Sequence, residues 1–538
     1  MNNNLFYLIL IFICFLINVS NMIRLIHVFQ LQNYNIDQQI IWYKKNYKLY
    51  IVNFLLGAFF IIYNVNNKNL FLFVLALLFL IMFILSLPKK QKKPLVYTNR
   101  VKRQIGFNII IFLISFILFF CFDKRTALII SIVITILSPI LVFISFLILK
   151  PIEDSIKNKF IKEAKNKIKS LNNINVIGIT GSFGKTSVKN YLYDMLVTKY
   201  NTCVTPESYN TTMGNTITIN NMLKTYDEFY ISEMGARRVN DIKEICDVVS
   251  PDSCILTEVD KQHLDTFKNI ENILKTKFEL VDAVAEKINT NDKENKKSFI
   301  LINGDNQLIK NNIKKYDENV KKHIYTYGLN DDNNFYAEKI KITSNGTSFN
   351  FILNANGKTE KYEFNTKLIG AHNIMNLVSC IAMAYLYGVS FDDLKLVVKN
   401  IKQVSHRLEL IKYSDRQIIL DDAYNSNIKG FKSAIDTLSN FDDTYTKILI
   451  TPGMVELSDE QYNLNFDAAK YAAKVCDYAF VVNAVNKQAL LDGLNSVTSI
   501  NKNNIKYFDT FNDAMEEARK IVSDKKVILI ENDLTDNY

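Results

Sequence analysis

The segment INVIGITGSFGKTSVKNYLYDML, at residues 174–196, constrains the fold of this chain more than any other part of the sequence. A β-rich run at 176–180 precedes a turn that contains Gly181 and Gly184, and a helical pattern begins at Ser187. Glycines in such a turn let the backbone approach phosphate oxygens, and the N-terminus of the following helix favours negative charge. The segment therefore predicts a strand, a phosphate-binding loop and a helix within a doubly wound α/β sheet.

The phosphate loop has the form T-G-x-x-G-K-T and differs from the strict G-x-x-x-x-G-K-[ST] motif, because Ile179 stands where that motif has its first glycine. Lys185 is expected to reach the β- and γ-phosphates of ATP, and Thr186 is expected to ligate Mg²⁺. A chance G-K-T in a solvated turn is the alternative, which the flanking strand and helix patterns disfavour. The predicted nucleotide contacts of this loop are Gly181, Ser182, Phe183, Gly184, Lys185 and Thr186.

Five apolar runs precede this segment, at residues 5–19, 50–65, 70–87, 108–122 and 127–149. Each approaches the ~20 residues that a helix needs to cross the hydrocarbon of a bilayer. The loops between them are alternately rich and poor in Lys and Arg, which places the C-terminal part of the chain in the cytoplasm. We therefore predict a multi-pass region of about five transmembrane helices at 1–150, in the inner (cytoplasmic) membrane. A core of buried soluble helices is the less favoured alternative.

The positive charge of the chain lies beside these apolar runs. Residues 1–170 contain 21 Lys and Arg but only 5 Asp and Glu, whereas the rest of the chain contains 43 and 49. No nucleic-acid partner is therefore expected. Segment 151–170 places apolar residues at helical spacing among lysines, and it is predicted to be a basic amphipathic linker that either lies on the membrane surface or is solvated.

Candidate metal ligands follow two later strands. Glu233 ends the hydrophobic run FYISE, at the position where a second magnesium ligand sits in a doubly wound sheet. His263 follows the buried run CILTEV, which begins at Cys254. A histidine in that position is more often a surface or capping residue when it stands alone.

Two predicted helices carry further polar residues. The stretch ILKTKFELV places Lys277 and Glu279 on one helix. The stretch LIGAHNIMNLV places Asn373 and Asn376 at the start of another. The two amides are expected either to read the edges of adenine or simply to cap the helix.

Taken together and in this order, these residues resemble the Mur ligase family, ATP-dependent enzymes that add amino acids to cell-wall precursors. In the C-terminal third, SHRLELI is similar to the family's G-R-x-E, with Ser405 and His406 before Arg407 where a glycine is usual. ILDDAYNSNIKG and TPGMVEL resemble the D-D-x-Y-N-x-N-P and G-x-M-x-E-L segments of the branch that adds D-alanyl-D-alanine, except that Ile428 replaces the proline. PESYNTTMGN, at 206–215, resembles that branch's N-x-N-x-x-G segment, with a threonine where the second asparagine is expected. The resemblance covers residues 171–538.

The resemblance implies a central P-loop ATP-binding domain at 171–400 and a smaller Rossmann-like α/β domain at 401–538. Within the first of these, residues 331–367 alternate polar and apolar side chains around turn signals, which predicts an antiparallel flap on the central sheet. The expected fold is thus an N-terminal α-helical transmembrane region followed by two α/β domains.

The resemblance also implies a reaction. The carboxylate of an acceptor attacks the γ-phosphate of ATP, and an amine captures the acyl phosphate to give an amide, ADP and phosphate. Lys277 is similar to a lysine that several family members carbamylate, and a bare Lys277 paired with Glu279 is the alternative. The implied catalytic residues are Lys185, Lys277, His263 and Arg407; the implied Mg²⁺ ligands are Thr186, Glu233 and His263; the further implied ATP contacts are Asn373, Asn376, Arg407 and Asp422.

The chain departs from the family at both ends. Only about twenty residues separate the apolar runs from the phosphate loop, which leaves no room for the domain that grips the uridine nucleotide of the usual acceptor. The last residues, with Glu531, Asp533 and Asp536, are acidic. We therefore expect a muropeptide-like acceptor carboxylate on a membrane lipid, or another cell-surface precursor, and an amino acid or dipeptide as the amine. A poly-γ-glutamate-type ligase and a membrane scaffold or sensor that binds ATP without ligation are the alternatives.

Overall fold

A computed structural model describes residues 3–32, 34–46, 94–121, 124–171, 173–290, 296–343, 346–355, 358–414, 416–424 and 427–532. The chain divides into two compact units, Met1–Asn158 and Lys159–Tyr538. The predicted apolar runs at 50–65 and 70–87 lie outside the described residues, as do Asp533 and Asp536.

In the part of the chain that the structure describes, four helices precede the phosphate loop: α1 (Asn3–Leu31), α2 (Ile36–Lys45), α3 (Asn99–Cys121) and α4 (Lys124–Ser170). By length and composition alone, two described helical stretches could cross a membrane, Tyr7–Leu31 and Thr126–Ser170. The predicted run 5–19 is therefore too short, because it belongs to a longer helix. The predicted linker 151–170 is not a separate element, because α4 continues through it although Pro139 and Pro151 lie inside the helix.

The outer surface of the first unit is apolar along α3 and α4. Ile110, Ile117, Phe120, Ile140 and Ile148 are all more than half exposed. A helix of a soluble bundle turns polar residues outward and apolar residues inward. The inner contacts of this unit include buried polar groups as well; the side-chain amides of Gln104 and Asn108 both donate to Ser145 Oγ, at 2.7 and 2.8 Å. Such hydrogen bonds between apolar helices are typical of membrane proteins.

The second unit contains a nine-stranded sheet in the order β2-β3-β1-β4-β5-β6-β7-β8-β9. Neighbouring strands are parallel from β2 to β7, and β7, β8 and β9 are antiparallel. The strands are β1 (Asn175–Thr180), β2 (Thr202–Val204), β3 (Phe229–Glu233), β4 (Ser253–Leu256), β5 (Ile300–Asn303), β6 (Ile324–Gly328), β7 (Phe335–Thr343), β8 (Gly346–Ala355) and β9 (Lys358–Thr366). The helices around this sheet are α5 (Lys185–Leu196), α6 (Thr212–Asn221), α7 (Asp241–Val249), α8 (Leu264–Phe267), α9 (Ile270–Asn289), α10 (Gln307–Asn312), α11 (Glu318–Lys321), α12 (Ala371–Leu386) and α13 (Phe391–Asn400).

Helices cover both faces of the nine-stranded sheet. On one face, Leu192 of α5 and Ile381 of α12 pack with Ile177 in one buried cluster. On the other face, Val176 packs with side chains of α7 and α9, among them Leu280. Strand residues buried on both sides form runs without charged residues, as the run at 176–180 does.

A second, six-stranded sheet follows in the order β10-β11-β15-β12-β13-β14. Its strands are β10 (Glu409–Ser414), β11 (Gln417–Asp422), β12 (Tyr445–Thr451), β13 (Tyr478–Val482), β14 (Ile505–Phe508) and β15 (Lys525–Glu531). Only the β10–β11 pair is antiparallel within the described part of this sheet. Its helices are α14 (Ile428–Ser439), α15 (Gln461–Ala472), α16 (Lys487–Asn495) and α17 (Phe511–Lys520). Both sheets are thus dominated by parallel pairs, as an α/β fold requires.

Candidate active site

The phosphate loop connects β1 to α5. Gly181 and Gly184 have φ angles of 153° and 82°. A Cβ atom at Gly181 would lie 2.0 Å from Thr257 Oγ1, and one at Gly184 would lie 2.7 Å from Asn376 Oδ1. Both positions therefore require glycine, for backbone conformation and for space.

Lys185 begins α5 and turns back over the loop. Its Nζ donates to the carbonyl oxygens of Gly181 and Ser182, at 2.7 and 3.3 Å. Burial lowers the pKa of Lys185 to about 8; the charge of Glu233 opposes this shift and that of Arg407 adds to it. The predicted phosphate lysine therefore lies within the electrostatic influence of both residues.

Glu233, at the end of β3, is the centre of a buried polar cluster. Its Oε1 accepts hydrogen bonds from Thr186 Oγ1 and Asn210 Nδ2, both at 3.1 Å. Its Oε2 lies 3.1 Å from Nζ of Lys189. Thr186 and Glu233 were both predicted magnesium ligands. Asn210 lies in the segment PESYNTTMGN, to which no site role was assigned, and Lys189 is a further member for which no motif gave a signal.

The donor set around Glu233 fits a magnesium ion. A hydroxyl and a carboxylate are hard oxygen ligands, and Mg²⁺ is commonly held by one or two such groups together with substrate phosphates. The Oε2 atom of Glu233 is buried and accepts no hydrogen bond, although it pairs ionically with Lys189. Across the described ranges, no group of three or more His, Cys, Asp or Glu residues could hold a metal by itself. Thr186 and Glu233 therefore suit an ion that phosphate oxygens also ligate.

His263 lies against the second sheet rather than against Glu233. It has a φ of 52° and immediately precedes α8. Its Nδ1 is hydrogen-bonded to a carboxylate oxygen of Glu456, in the loop after β12. Burial lowers the pKa of His263, and the hydrogen bond with Glu456 opposes the shift. For Glu456, burial alone would raise the pKa, but His263 and Arg237 together bring it below its ordinary value. Glu456 lies in the segment TPGMVEL, which resembles a family motif, but no feature of the sequence indicated its contact with His263.

Lys277 is buried in α9. Burial lowers its pKa well below the ordinary value, and the charge of Lys185 adds to that shift. Glu279, the alternative partner of Lys277, forms no ion pair with it among the described residues; it accepts hydrogen bonds from the backbone N–H groups of Asn240 and Lys243, at 2.8 and 2.9 Å, where α7 begins. A carboxylate at that helix end satisfies otherwise unpaired donors.

The two asparagines of α12 differ in their surroundings. Asn373 Nδ2 donates to the carbonyl of Ile369 at 2.9 Å, and Asn373 Oδ1 accepts from the hydroxyl of Tyr191 at 3.4 Å. Its side chain is thus engaged by Ile369 and Tyr191, but it does not cap the helix, because the N-cap is Gly370 and no side chain bonds there. Asn376 instead lies against Gly184 of the phosphate loop.

Arg407 lies just before β10, and Asp422 is the last residue of β11, so both belong to the domain of the second sheet. The guanidinium carbon of Arg407 lies 4.0 Å from the ring centroid of Tyr424, and the Tyr424 hydroxyl lies 2.6 Å from Ser208 Oγ, which precedes α6. Burial lowers the pKa of Arg407, against the charges of Asp422, Tyr424 and Glu233. Burial raises the pKa of Asp422 to about 6, and Arg407 opposes this. Asp422 Oδ1 also accepts the Leu408 N–H at 3.0 Å.

Further contacts hold the two sheets together beside the loop. Lys429 Nζ lies 3.1 Å from Glu258 Oε1, and Lys261 Nζ lies 2.5 Å from Glu460 Oε2. The backbone of Glu258 borders Gly181, and its carbonyl accepts the Ser182 N–H at 2.7 Å. The structure therefore brings groups from the second sheet to the phosphate loop of the first.

Comparison with known families gives two matches along the second unit. Residues 179–384 match the Mur ligase middle domain, and residues 406–531 match the Mur ligase, glutamate ligase domain. Over 284 residues the chain is 27% identical to UDP-N-acetylmuramoyl-tripeptide--D-alanyl-D-alanine ligase of Bacillus subtilis, covering 53% of this chain and 57% of that relative. The enzyme of the same name from Escherichia coli is 26% identical over 287 residues, with 53% and 59% covered. The chain therefore spans less than two thirds of the length of these relatives.

Solved structures show the same fold. A crystal structure of MurF from Acinetobacter baumannii superposes with a TM-score of 0.58 and 19% identity, covering 69% of this chain and 76% of that one. The MurF ligase of Thermotoga maritima in complex with ADP gives a TM-score of 0.58 and 22% identity, covering 70% and 80%. The second unit of this chain therefore has the α/β fold of these solved structures.

Proposed function

The chain belongs to the Mur ligase family through its middle and C-terminal domains, and we propose that it is a membrane-anchored, ATP-dependent ligase that forms an amide bond. Its acceptor is a muropeptide-like carboxylate of a peptidoglycan-type or other cell-surface precursor, and its amine is an amino acid or dipeptide. The reaction class follows from the family, and the substrate class follows from the curated relatives, whose names describe D-alanyl-D-alanine addition to a UDP-linked muramoyl tripeptide.

The observation that carries the proposal is that both sheets contribute charged groups to one phosphate loop. Tyr424 contacts Arg407 and lies 2.6 Å from Ser208 Oγ of the other domain, and the charge of Arg407 adds to the effect of burial, which lowers the pKa of Lys185. A phosphoryl-transfer site needs this concentration of positive charge, because catalysis there consists largely of positioning and charge neutralisation. A protein that merely senses ATP has less need for it.

In the proposed reaction, the acceptor carboxylate attacks the γ-phosphorus of ATP, ADP leaves, and the amine then attacks the acyl carbon and expels phosphate. Lys185 and Arg407 stabilise the charge of the transferring group, and Thr186 with Glu233 holds Mg²⁺, which when bound neutralises phosphate charge. His263 is a further proposed metal ligand. Two ion pairs keep the domains closed, one between Glu258 and Lys429 and one between Lys261 and Glu460. Closure excludes water from the acyl phosphate.

Asp422 and Asn376 are the proposed nucleotide contacts outside the loop, with the ribose and the adenine respectively. Asn373 is proposed to contact adenine less strongly, because its amide is already hydrogen-bonded to the Ile369 carbonyl and the Tyr191 hydroxyl. For Lys277 we propose carbamylation. Its amine is buried without an ion pair among the described residues, and burial favours the neutral form that reacts with CO₂. A carbamate would supply oxygen ligands of the kind that a hard metal prefers.

The first unit is the proposed membrane anchor, with the catalytic domains in the cytoplasm. Support comes from two stretches long and apolar enough to span a bilayer and from the exposed apolar side chains of α3 and α4. An acceptor on a membrane lipid would then lie beside the enzyme throughout the reaction. A poly-γ-glutamate-type ligase is the second candidate, and it differs only in its acceptor and amine.

The test uses full-length protein in detergent with Mg·ATP, uridine-linked and lipid-linked muropeptides, and a panel of amino acids and dipeptides. We expect ADP release that requires both acceptor and amine, and a product whose mass equals their sum less one water. Lys185→Ala should abolish ADP release, whereas the exposed Lys224→Ala should not. ATP binding without amine-dependent ADP release would favour a scaffold or sensor, and growth of a glutamate chain would favour the second candidate.

A further inference from the structure

His263 and Glu456 join the two domains through side chains that lie far apart in the sequence. His263 Nδ1 is hydrogen-bonded to a Glu456 carboxylate oxygen, and both side chains are largely buried. We propose that Glu456 is a positioning residue, which fixes the imidazole of His263 as a metal ligand and thereby links metal binding to closure of the domains. This inference rests on the proposed function, in which His263 contacts Mg²⁺.

The backbone holds both residues in place. His263 has a φ of 52° and Glu456 a φ of 63°, conformations that side-chain-bearing residues adopt rarely. The two segments also bind each other directly: the Ser458 N–H donates to Asp265 Oδ1 at 2.8 Å, and the Asp265 N–H donates to the Glu456 carbonyl at 3.4 Å. Strain of this kind persists only where the surroundings impose it, and it is concentrated at functional sites.

The loop that carries Glu456 is itself supported by buried amides. The Met454 N–H donates to Asn465 Oδ1 at 2.8 Å, and Asn486 Nδ2 donates to the Pro452 carbonyl at 2.9 Å. A Cβ atom at Gly453 would lie 2.4 Å from Asn465 Oδ1, so the loop packs tightly on this network. Glu456 is therefore presented to His263 from a fixed support.

The hydrogen bond determines which ring nitrogen remains available. When Nδ1 carries the proton that Glu456 accepts, the lone pair of the neutral imidazole is on Nε2. Metal-bound histidines regularly use a carboxylate in this way, and loss of that carboxylate lowers metal affinity by about 10–100-fold. Because Glu456 belongs to the second sheet, the ligand is oriented only in the closed form. By linkage, metal binding must then favour closure to the same extent.

The test measures Mn²⁺ binding by electron paramagnetic resonance, with the full-length protein in detergent and ADP present. Glu456→Ala should weaken Mn²⁺ binding about 10–100-fold, and Glu456→Gln, which keeps an acceptor for Nδ1–H, should weaken it less. Glu460→Ala is the matched control, because it removes a neighbouring bridge between the same segments, to Lys261, without touching His263. It should leave Mn²⁺ affinity near the wild-type value.

Two outcomes would overturn the inference. One is an equal loss of Mn²⁺ affinity in Glu456→Ala and Glu460→Ala, which would show a general effect of weakened closure. The other is an unchanged affinity in His263→Ala, which would show that His263 is no ligand. Glu456→Gln guards against misfolding of the alanine variant, and thermal melting checks each protein. Amine-dependent ADP release by the wild type is a separate readout, so failure of the inference would leave the proposed ligase activity standing.

Discussion

Lys189 and Glu233 form an ion pair in which each side chain is only 1% exposed, with Nζ 3.1 Å from Oε2. Lys189 also donates to the carbonyl of Glu207 at 2.5 Å, in the loop that precedes α6. One buried cation thus connects the phosphate-loop helix, the proposed metal carboxylate and the loop that meets Tyr424. An unpaired charge in such a place is strongly unfavourable, so each partner requires the other.

Removing one member of this pair should destabilise the protein severely. Lys189→Met leaves the Glu233 carboxylate buried without its cation, and we expect the free energy of unfolding to fall by about 3–5 kcal/mol. Urea denaturation followed by circular dichroism measures this loss. The double variant Lys189→Met/Glu233→Gln carries neither charge and should recover much of the stability. A double variant no more stable than Lys189→Met would contradict the assigned pairing.

Gly184 should tolerate no side chain. Alanine there would adopt an unfavourable positive φ, at about 1–3 kcal/mol, and its Cβ would lie 2.7 Å from Asn376 Oδ1. We expect Gly184→Ala to lower ATP affinity by about tenfold or more, as measured by titration calorimetry. Gly430→Ala is the control, because a Cβ there meets its nearest neighbour, Asn427 Oδ1, at an ordinary 3.5 Å. That variant should bind ATP normally.

The strand, loop and helix around Gly181 could be predicted from sequence because local signals agree there. A hydrophobic run, two glycines and a helical pattern occur in one short segment, and the structure has β1, the turn and α5 at those positions. Thr186 and Glu233 could be paired in advance for a similar reason, since parallel strands bring their carboxyl ends to one edge of a sheet.

Other members of the site had no local signal. Lys189 looks like any polar residue of an amphipathic helix until the fold buries it beside Glu233. The partners His263 and Glu456 are contributed by different sheets, and only tertiary packing brings them together. The change of composition at residue 151 separates segment 151–170 from the preceding apolar run in the sequence, yet α4 continues through both, with Pro139 and Pro151 inside the helix.

Asp422 should give the stability of the protein a specific pH dependence. Burial raises its pKa from 3.8 to about 6, so the folded form favours the protonated carboxyl. This stabilising contribution is fully present below about pH 4 and is lost as the pH rises through about 6. As the pH rises from about 4 to about 6, the stability of Asp422→Asn should therefore increase relative to that of the wild type. Above about pH 6 the difference in stability should stay constant. Thermal melting across that range tests this, with the exposed Asp467→Asn as the control for removal of one carboxylate.

Lys277 should carry a carbamate under the conditions of activity. Incubation with ¹³C-labelled bicarbonate should give a carbamate resonance in the carbon NMR spectrum, because a buried amine held neutral reacts with CO₂. Lys277→Met should lack that signal, and Lys275→Met, on the same helix, should retain it. Activity of the wild type should fall when bicarbonate and CO₂ are removed and return when they are restored. A wild-type spectrum without the resonance, together with unchanged activity in CO₂-free buffer, would leave Lys277 as a bare amine.

The membrane orientation can be read from a single natural thiol. Of the seven cysteines, Cys121 at the end of α3 is exposed and the other six are buried. The alternation of basic and non-basic loops puts this end of α3 on the outer face and the ligase domains in the cytoplasm. A membrane-impermeant maleimide added to intact cells should therefore label the wild type, and Cys121→Ser should remain unlabelled. Placing a new thiol at the exposed Ser170 in that background, Cys121→Ser/Ser170→Cys, should give labelling only after the membrane is permeabilised. Labelling of Ser170→Cys in intact cells would reverse the orientation and separate the phosphate loop from cytoplasmic ATP.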